Sequence, residues 1–416
     1  MEINKNIIAG LDLGTTKVCI LVGRLTSEGL KIVGIGEAPS NGIKKGTIVD
    51  VDATVDSIKS ALSQAELMSG YKITDVFTGI ADGQVKSFND SGMWVLKGGP
   101  VVQKDIDKAL ENTERSLKVE SNRCILDIIP QEFIIDGQRT GVKNPLGKSG
   151  VRLEPKVHVI TASSNSMEDI KRCTAKCGIN VREIILEPLA SARAVLSDEE
   201  KQVGVIMVDI GGGTTDIGIF HDNSIVHSAV IPLAGNHITS DISKVFRILI
   251  SDAENLKKEH GHAISRMVER EDYFDIQAVG SSGSQKISSN LLSEVIQARL
   301  EQLFGLIGSE MTRAHNYNKV SYGIVLTGGS SLLRGMKELA EMYFETPVRI
   351  GYPRNVGGLK SIVSSPIYST ALGLVMHGSK YAQPSSGCFI PVKGKGLGNK
   401  IDKIKNNVKV FCDDYF

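Results

Sequence analysis

Two stretches of the chain carry the same pattern of apolar and polar positions. In residues 205–220 (VIMVDIGGGTTDIGIF) an apolar run from Val205 to Val208 reaches Asp209. Gly211, Gly212 and Gly213 follow, then Thr214, Thr215 and Asp216, and apolar residues resume at Ile217, Ile219 and Phe220. Apolar flanks around a glycine turn predict a buried β-hairpin. Residues 7–23 (IIAGLDLGTTKVCILVG) repeat the pattern: Asp12, then Gly14, Thr15 and Thr16, then Val18, Ile20 and Val22 on alternate positions. Lys17 stands where the later copy has Asp216. A third phrase, residues 324–339 (IVLTGGSSLLRGMKEL), predicts a strand, a turn at Thr327, Gly328, Gly329, Ser330 and Ser331, and a helix.

The rest of the chain alternates in the same way between period-two and helical spacing. Strands are predicted over 30–38, 76–81, 93–96, 123–129, 156–162, 181–186 and 224–233. Helices are predicted over 53–69, 103–118, 167–178, around 238–246, over 251–260 and over 291–311. In residues 251–260 (SDAENLKKEH), Ser251 and Glu254 have the spacing of a capping box. Residues 280–285 read as a Gly/Ser loop. Strands mixed with helices predict an α/β protein. Residues 381–398 have a linker's composition of Gly, Pro, Ser and Lys. In residues 399–416, Ile401, Ile404, Val408, Phe411 and Tyr415 fall three and four apart, one apolar helical face flanked by lysines.

The glycine turns are the candidate chemistry. Glycines clear side chains away, so that backbone N–H groups can face an anion, and threonine hydroxyls add donors. Asp12 and Asp209, each at the end of a strand, could hold a hydrated Mg²⁺ or orient a water. The third turn, between strand and helix, suits a ribose, base or phosphate edge. One such hairpin alone is as readily a turn that binds nothing. Three in this order point to a duplicated domain with a phosphate between its halves.

Composition narrows the classes. A chain of 416 residues has room for several domains, and 41% hydrophobic with 23% charged residues is an ordinary folded balance. A net charge of +1 gives no basic footprint for nucleic acid. The six cysteines form no C-x-x-C pair, so neither a disulfide framework nor a zinc site is indicated, and a reducing compartment is expected. No apolar run approaches the roughly 20 residues needed to cross a bilayer, and no signal peptide is visible.

With these motifs the chain resembles the actin, heat-shock chaperone and sugar-kinase superfamily, and within it the bacterial cell-division family FtsA. Two connecting helices, Glu187-Pro188-Leu189-Ala190-Ser191 and Ser369-Thr370-Ala371-Leu372-Gly373, also match. The phrases IPQEF (129–133), KNPLG (143–147) and SGVR (149–152) are similar to that family in particular.

The resemblance implies an actin-like duplication of ribonuclease H-like domains with inserted α+β subdomains. Subdomain 1A would span 1–83 and 164–197, and 1C would be the insertion 84–163. Subdomain 2A would span 198–235 and 320–380, with 2B over 236–319. Implied ligands are ATP and Mg²⁺. Asp12 and Asp209 would arrange the metal through water, and Asp209 and Glu187 would orient an attacking water. Glu187 before Pro188 is equally a favourable helix start. Gly14, Thr15, Thr16, Lys17 and Gly211, Gly212, Gly213, Thr214 and Thr215 would hold the phosphates. Glu254, Lys257, Gly328, Gly329 and Ser330 would surround adenosine, although for Lys257 on a charged helix a solvated side chain is the safer reading.

Implied partners are further copies of the chain, the tail of the tubulin-like FtsZ, other division proteins through 1C, and anionic membrane lipid. Arg299 is the residue implied to meet the FtsZ tail; an exposed arginine on a helix is otherwise solvated. The C-terminal face could bind a bilayer, a partner's groove or the chain's own core. Asn406, Asn407, Asp413 and Asp414 weaken it as a lipid-binding helix. Burying its five apolar residues would yield roughly 5–8 kcal/mol gross, weak for one tail and firm for a polymer. The expected place is the cytoplasmic face of the cell membrane at the division site. A pilus-assembly scaffold and a sugar kinase of the same superfamily are the alternatives, and whether ATP is turned over is left open.

Overall fold

The computed structural model describes residues 6–268, 271–277, 284–314 and 322–382. Two of its sheets have the same strand order. In the first, Gly29–Pro39, Lys17–Thr26 and Ile7–Leu13 form an antiparallel meander, continued by the parallel strands Asp75–Ile80 and Asn180–Leu186. In the second, Ser224–Ile231, Thr215–His221 and Val205–Ile210 form the meander, and Ile324–Thr327 and Val348–Ile350 the parallel pair. The short strand Gly357–Gly358 crosses back to the outer edge of the first sheet. The two patterned hairpins are therefore the centres of two copies of one topology.

Both faces of these sheets are covered, which explains why the hairpin strands carry apolar residues on consecutive positions. On the first sheet, Val18, Ile20 and Val22 face the helix Val51–Ser69, which contributes Val55, Ile58, Ala61 and Ala65 at helical spacing. That helix starts at Asp50, whose side chain accepts from the Ala53 N–H at 3.0 Å, and ends at the left-handed Gly70. Cys19 and Leu21, on the opposite face, pack with Ala371, Leu372 and Val375 of the helix Ser369–Ala382. This last helix crosses the helix Glu187–Val195 at Gly373, where a β-carbon would overlap the Ala190 carbonyl oxygen. The two connecting helices can approach this closely only because that position lacks a side chain.

A third sheet lies between the first two copies in the chain, ordered Arg139–Val142, Arg123–Ile135, Arg152–Ser163 and Lys86–Ser91, with Trp94–Val95 beside Arg152–Ser163. The helix Gln103–Ser116 packs Ile106, Ala109 and Leu110 on Phe133, Leu153 and Val157 of this sheet. The strand predicted over 123–129 continues through Pro130 to Ile135. A bulge at Gln131 breaks the register, which lets a proline sit inside a strand. The bulge also aims Gln131 at the second copy: its amide donates to the Ile225 carbonyl at 2.8 Å.

Further side chains from this inserted sheet reach the edge strand Ser224–Ile231. Ser87 donates to the Ser228 carbonyl at 2.6 Å and Asn89 to the Val226 carbonyl at 3.0 Å. His158 is bonded through its two ring nitrogens to Asn89 Oδ1 (2.7 Å) and Ser228 Oγ (2.9 Å). The insertion thus satisfies carbonyls that an edge strand would otherwise leave open.

The remaining lobe holds the helices Gly235–Phe246, Ile250–His260 and Ser289–Arg313, packed around Ile242, Leu256, Ile296 and Leu300, with the hairpin Tyr273–Gln277 and Ser284–Ser288. Residues 284–285 of the predicted Gly/Ser loop belong to this hairpin's second strand. The expected capping box does not form. The helix starts at Ile250, capped by Leu249 without a side-chain bond, so Ser251 is already inside it and its hydroxyl turns to Asp252. Glu254 bonds elsewhere, to Thr239 and the two neighbouring lysines.

Candidate functional site

The turns of the two hairpins meet face to face. A β-carbon on Gly213 would overlap the Thr15 hydroxyl, and one on Gly212 the Thr16 hydroxyl. The Thr15 hydroxyl accepts from the Gly46 N–H at 3.1 Å. Among the described residues no acceptor faces the backbone N–H of Gly14, Thr15, Gly212 or Gly213. Donors without acceptors at the junction of two turns are what an anion-binding concavity needs.

Several carboxylates gather beside the turns. Asp209 Oδ2 accepts from Ser191 Oγ at 2.6 Å and from Thr370 Oγ1 at 3.2 Å, and these two hydroxyls are 2.9 Å apart. One partner comes from each connecting helix. Gly328, with φ +83°, presses its backbone against Asp209 Oδ1, where a β-carbon would overlap the oxygen. Asp12 is buried with no hydrogen-bond partner among the described residues. Asp216 is buried too; Thr214 donates to its Oδ2 at 3.2 Å, while Oδ1 has no partner.

This crowding raises the acids. Burial pushes Asp12 up to about 7, with Lys17 opposing and Asp209 and Glu37 adding. Asp209 is raised by burial against the bonds from Ser191 and Thr370. Glu187 and Asp216 lie well above the carboxylate range, first through burial and then through the other acids. Of the two roles read for Glu187, the helix start is the one visible in the fold. The residue is the acid of the first turn of Glu187–Val195, and its carboxyl shares the field of Asp12, Asp209 and Asp216.

Such a site offers neutral N–H donors to an anion and several acids to a cation. Among the described residues no three acidic, imidazole or thiol groups converge closely enough to ligate a metal directly. A divalent ion here would be held through its water shell, as suits Mg²⁺. The free N–H groups, the orphan oxygen of Asp216 and the unpartnered Asp12 fit a phosphate chain with its cation.

The third turn joins the same place. Ser330 Oγ donates to the Gly211 carbonyl at 2.8 Å, and Gly329 is exposed beside it. The N–H of Gly235 also meets the Gly211 carbonyl, at 3.2 Å. Lys257 is buried, and its ammonium donates to the Gly235 carbonyl (3.2 Å), Thr239 Oγ1 (2.8 Å) and Glu254 Oε2 (2.7 Å). Its three protons are thereby used, which corrects the picture of a solvated lysine. Burial lowers the Lys257 pKa despite Glu254. For Glu254 burial acts upward, but Lys257 and the hydrogen bonds prevail and hold it low.

Two other charged residues prove to be engaged. The Lys17 ammonium pairs with Glu37 and lies 3.9 Å from the centroid of the Tyr368 ring. Arg299 is partly buried, its guanidinium bonded to Asp241 and Gln302, so it is not the free arginine that the sequence suggested. The positions Ile401, Ile404, Val408, Phe411 and Tyr415, and residues 383–398 of the expected linker, lie outside the described residues, while residues 381–382 of that linker belong to the helix Ser369–Ala382.

Sequence reasoning left out Asp216, Ser191, Thr370, Glu37 and Tyr368. Three of them had a readable signal: Asp216 closes the second glycine phrase, and Ser191 and Thr370 belong to the two connecting-helix phrases. A cavity of about 470 Å³ lies elsewhere, between Gly141–Lys148 and the turn at Asp222 and Asn223. Its Lys143, Asp222, Gln202 and Asn223 are bonded to one another, and none of the glycine turns lines it.

Comparison with known proteins agrees with this architecture. Residues 206–373 match the family described as "Cell division protein FtsA", and residues 82–161 match the "SHS2 domain inserted in FTSA". The chain is 42% identical over 393 residues to the cell division protein FtsA of Pseudomonas aeruginosa, covering 94% of this chain and 93% of that one. It is 40% identical over 402 residues to FtsA of Neisseria meningitidis, covering 95% and 97%. FtsA of Escherichia coli K12 is 36% identical over 385 residues, covering 91% of each chain. Among solved structures, a PilM–PilN type IV pilus biogenesis complex aligns with a TM-score of 0.66 at 17% identity, covering 91% of this chain and 99% of that one. MreB5 of Spiroplasma citri bound to ADP aligns with a TM-score of 0.58 at 18% identity, covering 91% and 98%. The fold is actin-like.

Proposed function

The chain belongs to the FtsA family of cell-division proteins, and from that premise we propose that it binds ATP with Mg²⁺ between its two glycine hairpins. The observation that carries this reading is the meeting of Thr15 and Thr16 with Gly213 and Gly212, with unpaired N–H groups and four acids gathered around it. Gly14, Thr15, Thr16 and Gly211–Thr215 would hold phosphate oxygens, and Lys17 would add positive charge. Gly328, Gly329, Ser330 and Glu254 would border the nucleoside, with Lys257 fixing Glu254. Asp12 and Asp209 would hold the hydrated Mg²⁺, which supplies charge neutralisation to the phosphates when bound. Ser191 and Thr370 orient Asp209, and Glu187 would hold a water or a proton.

The nucleotide controls assembly of copies of the chain, and the assembly tethers FtsZ to the cytoplasmic face of the cell membrane. In this reading 1–83 and 164–197 form subdomain 1A, and 198–235 with 320–380 form 2A. The insertion 84–163 meets other division proteins, and the lobe 236–319 receives the acidic FtsZ tail. Arg299 takes part there only by exchanging or sharing its Asp241 pairing. The segment 399–416 supplies the lipid-binding face. The insertion match and the family's name favour this division role over pilus scaffolding.

The test is liposome co-sedimentation with ATP, comparing the intact chain with one ending at Lys380, with and without FtsZ. Sedimentation of the intact chain alone, carrying FtsZ down, is expected. Equal behaviour of the two forms would remove the anchoring role and leave a nucleotide-binding actin-like protein.

A further inference from the structure

Three adjacent strands of the first sheet bring a row of charges to one face. Asp12 pairs with Cys19 across the hairpin, and Cys19 with Glu37 on the next strand. Directly opposed residues share a face, so Asp12, Cys19 and Glu37 point the same way. Lys17, two residues before Cys19, points that way as well. It is a diagonal neighbour of both carboxylates, with α-carbons roughly 7–8 Å away on each side. Its four-carbon stem could deliver the ammonium to either acid.

The ammonium goes to Glu37. The pair is only partly exposed, 24% for the Lys17 side chain and 37% for Glu37. Tyr368 supports both partners: its ring lies under the ammonium at 3.9 Å and its hydroxyl donates to Glu37 Oε2 at 3.3 Å. A cation over an aromatic face gains further attraction. Asp12 remains buried, unpartnered and within reach of the Lys17 field.

We propose that Glu37, held by Tyr368, is a positioning residue that keeps the Lys17 ammonium off Asp12 and so reserves Asp12 for the hydrated divalent cation of a nucleotide. The inference rests on the proposed Mg²⁺–nucleotide site. Without Glu37 the carboxylate on the other diagonal of Lys17 is Asp12, and an ammonium there would neutralise the charge that draws the metal.

The experiment measures the affinity of a fluorescent ATP analogue for the full chain in Mg²⁺ and in EDTA, with the Tm of the nucleotide-free protein alongside. In Glu37→Gln the affinity gain produced by Mg²⁺ falls about tenfold, the size of a one-unit change in a charge interaction, while affinity in EDTA is unchanged or higher. Adding Lys17→Met to Glu37→Gln restores the Mg²⁺-dependent gain, although overall affinity is lower. An undiminished Mg²⁺ gain in Glu37→Gln overturns the proposal, with the nucleotide site left standing. Equal losses in Mg²⁺ and EDTA with a lowered Tm assign Glu37 a purely structural role and overturn it too. If the wild-type chain binds no nucleotide, or binds it without a Mg²⁺ gain, the site reading itself falls and the proposal with it.

Discussion

The hydroxyl of Thr15 occupies the space that a side chain on Gly213 would need. These residues belong to opposite halves of the duplication, so the contact defines how closely the halves can close.

Gly213→Ala should therefore hold the two hairpins apart. Overpacking of this kind costs about 1–3 kcal/mol in stability, and nucleotide affinity should fall far more than thermal stability does. Thr15→Gly in the same chain removes the obstructing hydroxyl and should recover stability without restoring full affinity. Isothermal titration and thermal unfolding of the three variants decide it.

Ser191 is the tighter of the two hydroxyls on Asp209, at 2.6 Å against 3.2 Å for Thr370. Ser191→Ala takes one bond from a buried carboxylate and should cost about 1–3 kcal/mol in urea unfolding. In an Asp209→Asn background the same change should cost less, because the residues act as a pair. Equal costs in both backgrounds would show that Ser191 does not serve Asp209.

Asp12 makes the nucleotide-free protein sensitive to pH. Its carboxyl is pushed from 3.8 to about 7 by burial, so in the fold it keeps a proton that the unfolded chain gives up. Fewer protons on the unfolded chain mean stability falls as pH rises between these values, by up to about 1.4 kcal/mol per pH unit. Unfolding free energies of wild type minus Asp12→Asn should decline from pH 4 to 7. Mg²⁺ with nucleotide should flatten the decline, since a bound cation favours the ionised acid.

His158 gives the opposite slope. Burial lowers its pKa from 6.5 to about 3, so it stays neutral in the fold while the unfolded chain protonates. Its contribution is complete above pH 6.5 and is lost as pH falls toward 3. His158→Ala, which strands Asn89 and Ser228, should cost about 1–3 kcal/mol at pH 7.5, and the deficit should shrink by pH 5. A deficit constant across that range would mean the imidazole is not held neutral.

Elements with a strong pattern were legible in the sequence. The hairpins at Asp12 and Asp209 stand out because strands buried on both faces read as apolar runs, and because the glycines between them have few other uses. The strand Lys86–Ser91 was not legible. Its residues, KSFNDS, are mostly exposed and polar, and what makes it a strand is pairing with Lys156–Thr161. Charged partners were hidden by distance along the chain. Arg299 is answered by Asp241 and Lys17 by Glu37 and Tyr368, contacts that only the folded topology creates. The spacing of Ser251 and Glu254 imitated a cap, but Leu249 and Ile250 had already begun the helix.

The polar seam between the inserted sheet and the strand Ser224–Ile231 has a mechanical consequence. The helices Glu187–Val195 and Ser369–Ala382 cross at Gly373 and join the two halves at one line of close contact. Ser87, Asn89, Gln131 and His158 make a second fastening between the halves, through the inserted sheet. A rotation of one half against the other would have to break these bonds or carry the inserted sheet with it, which would couple movement at the glycine turns to the orientation of that sheet.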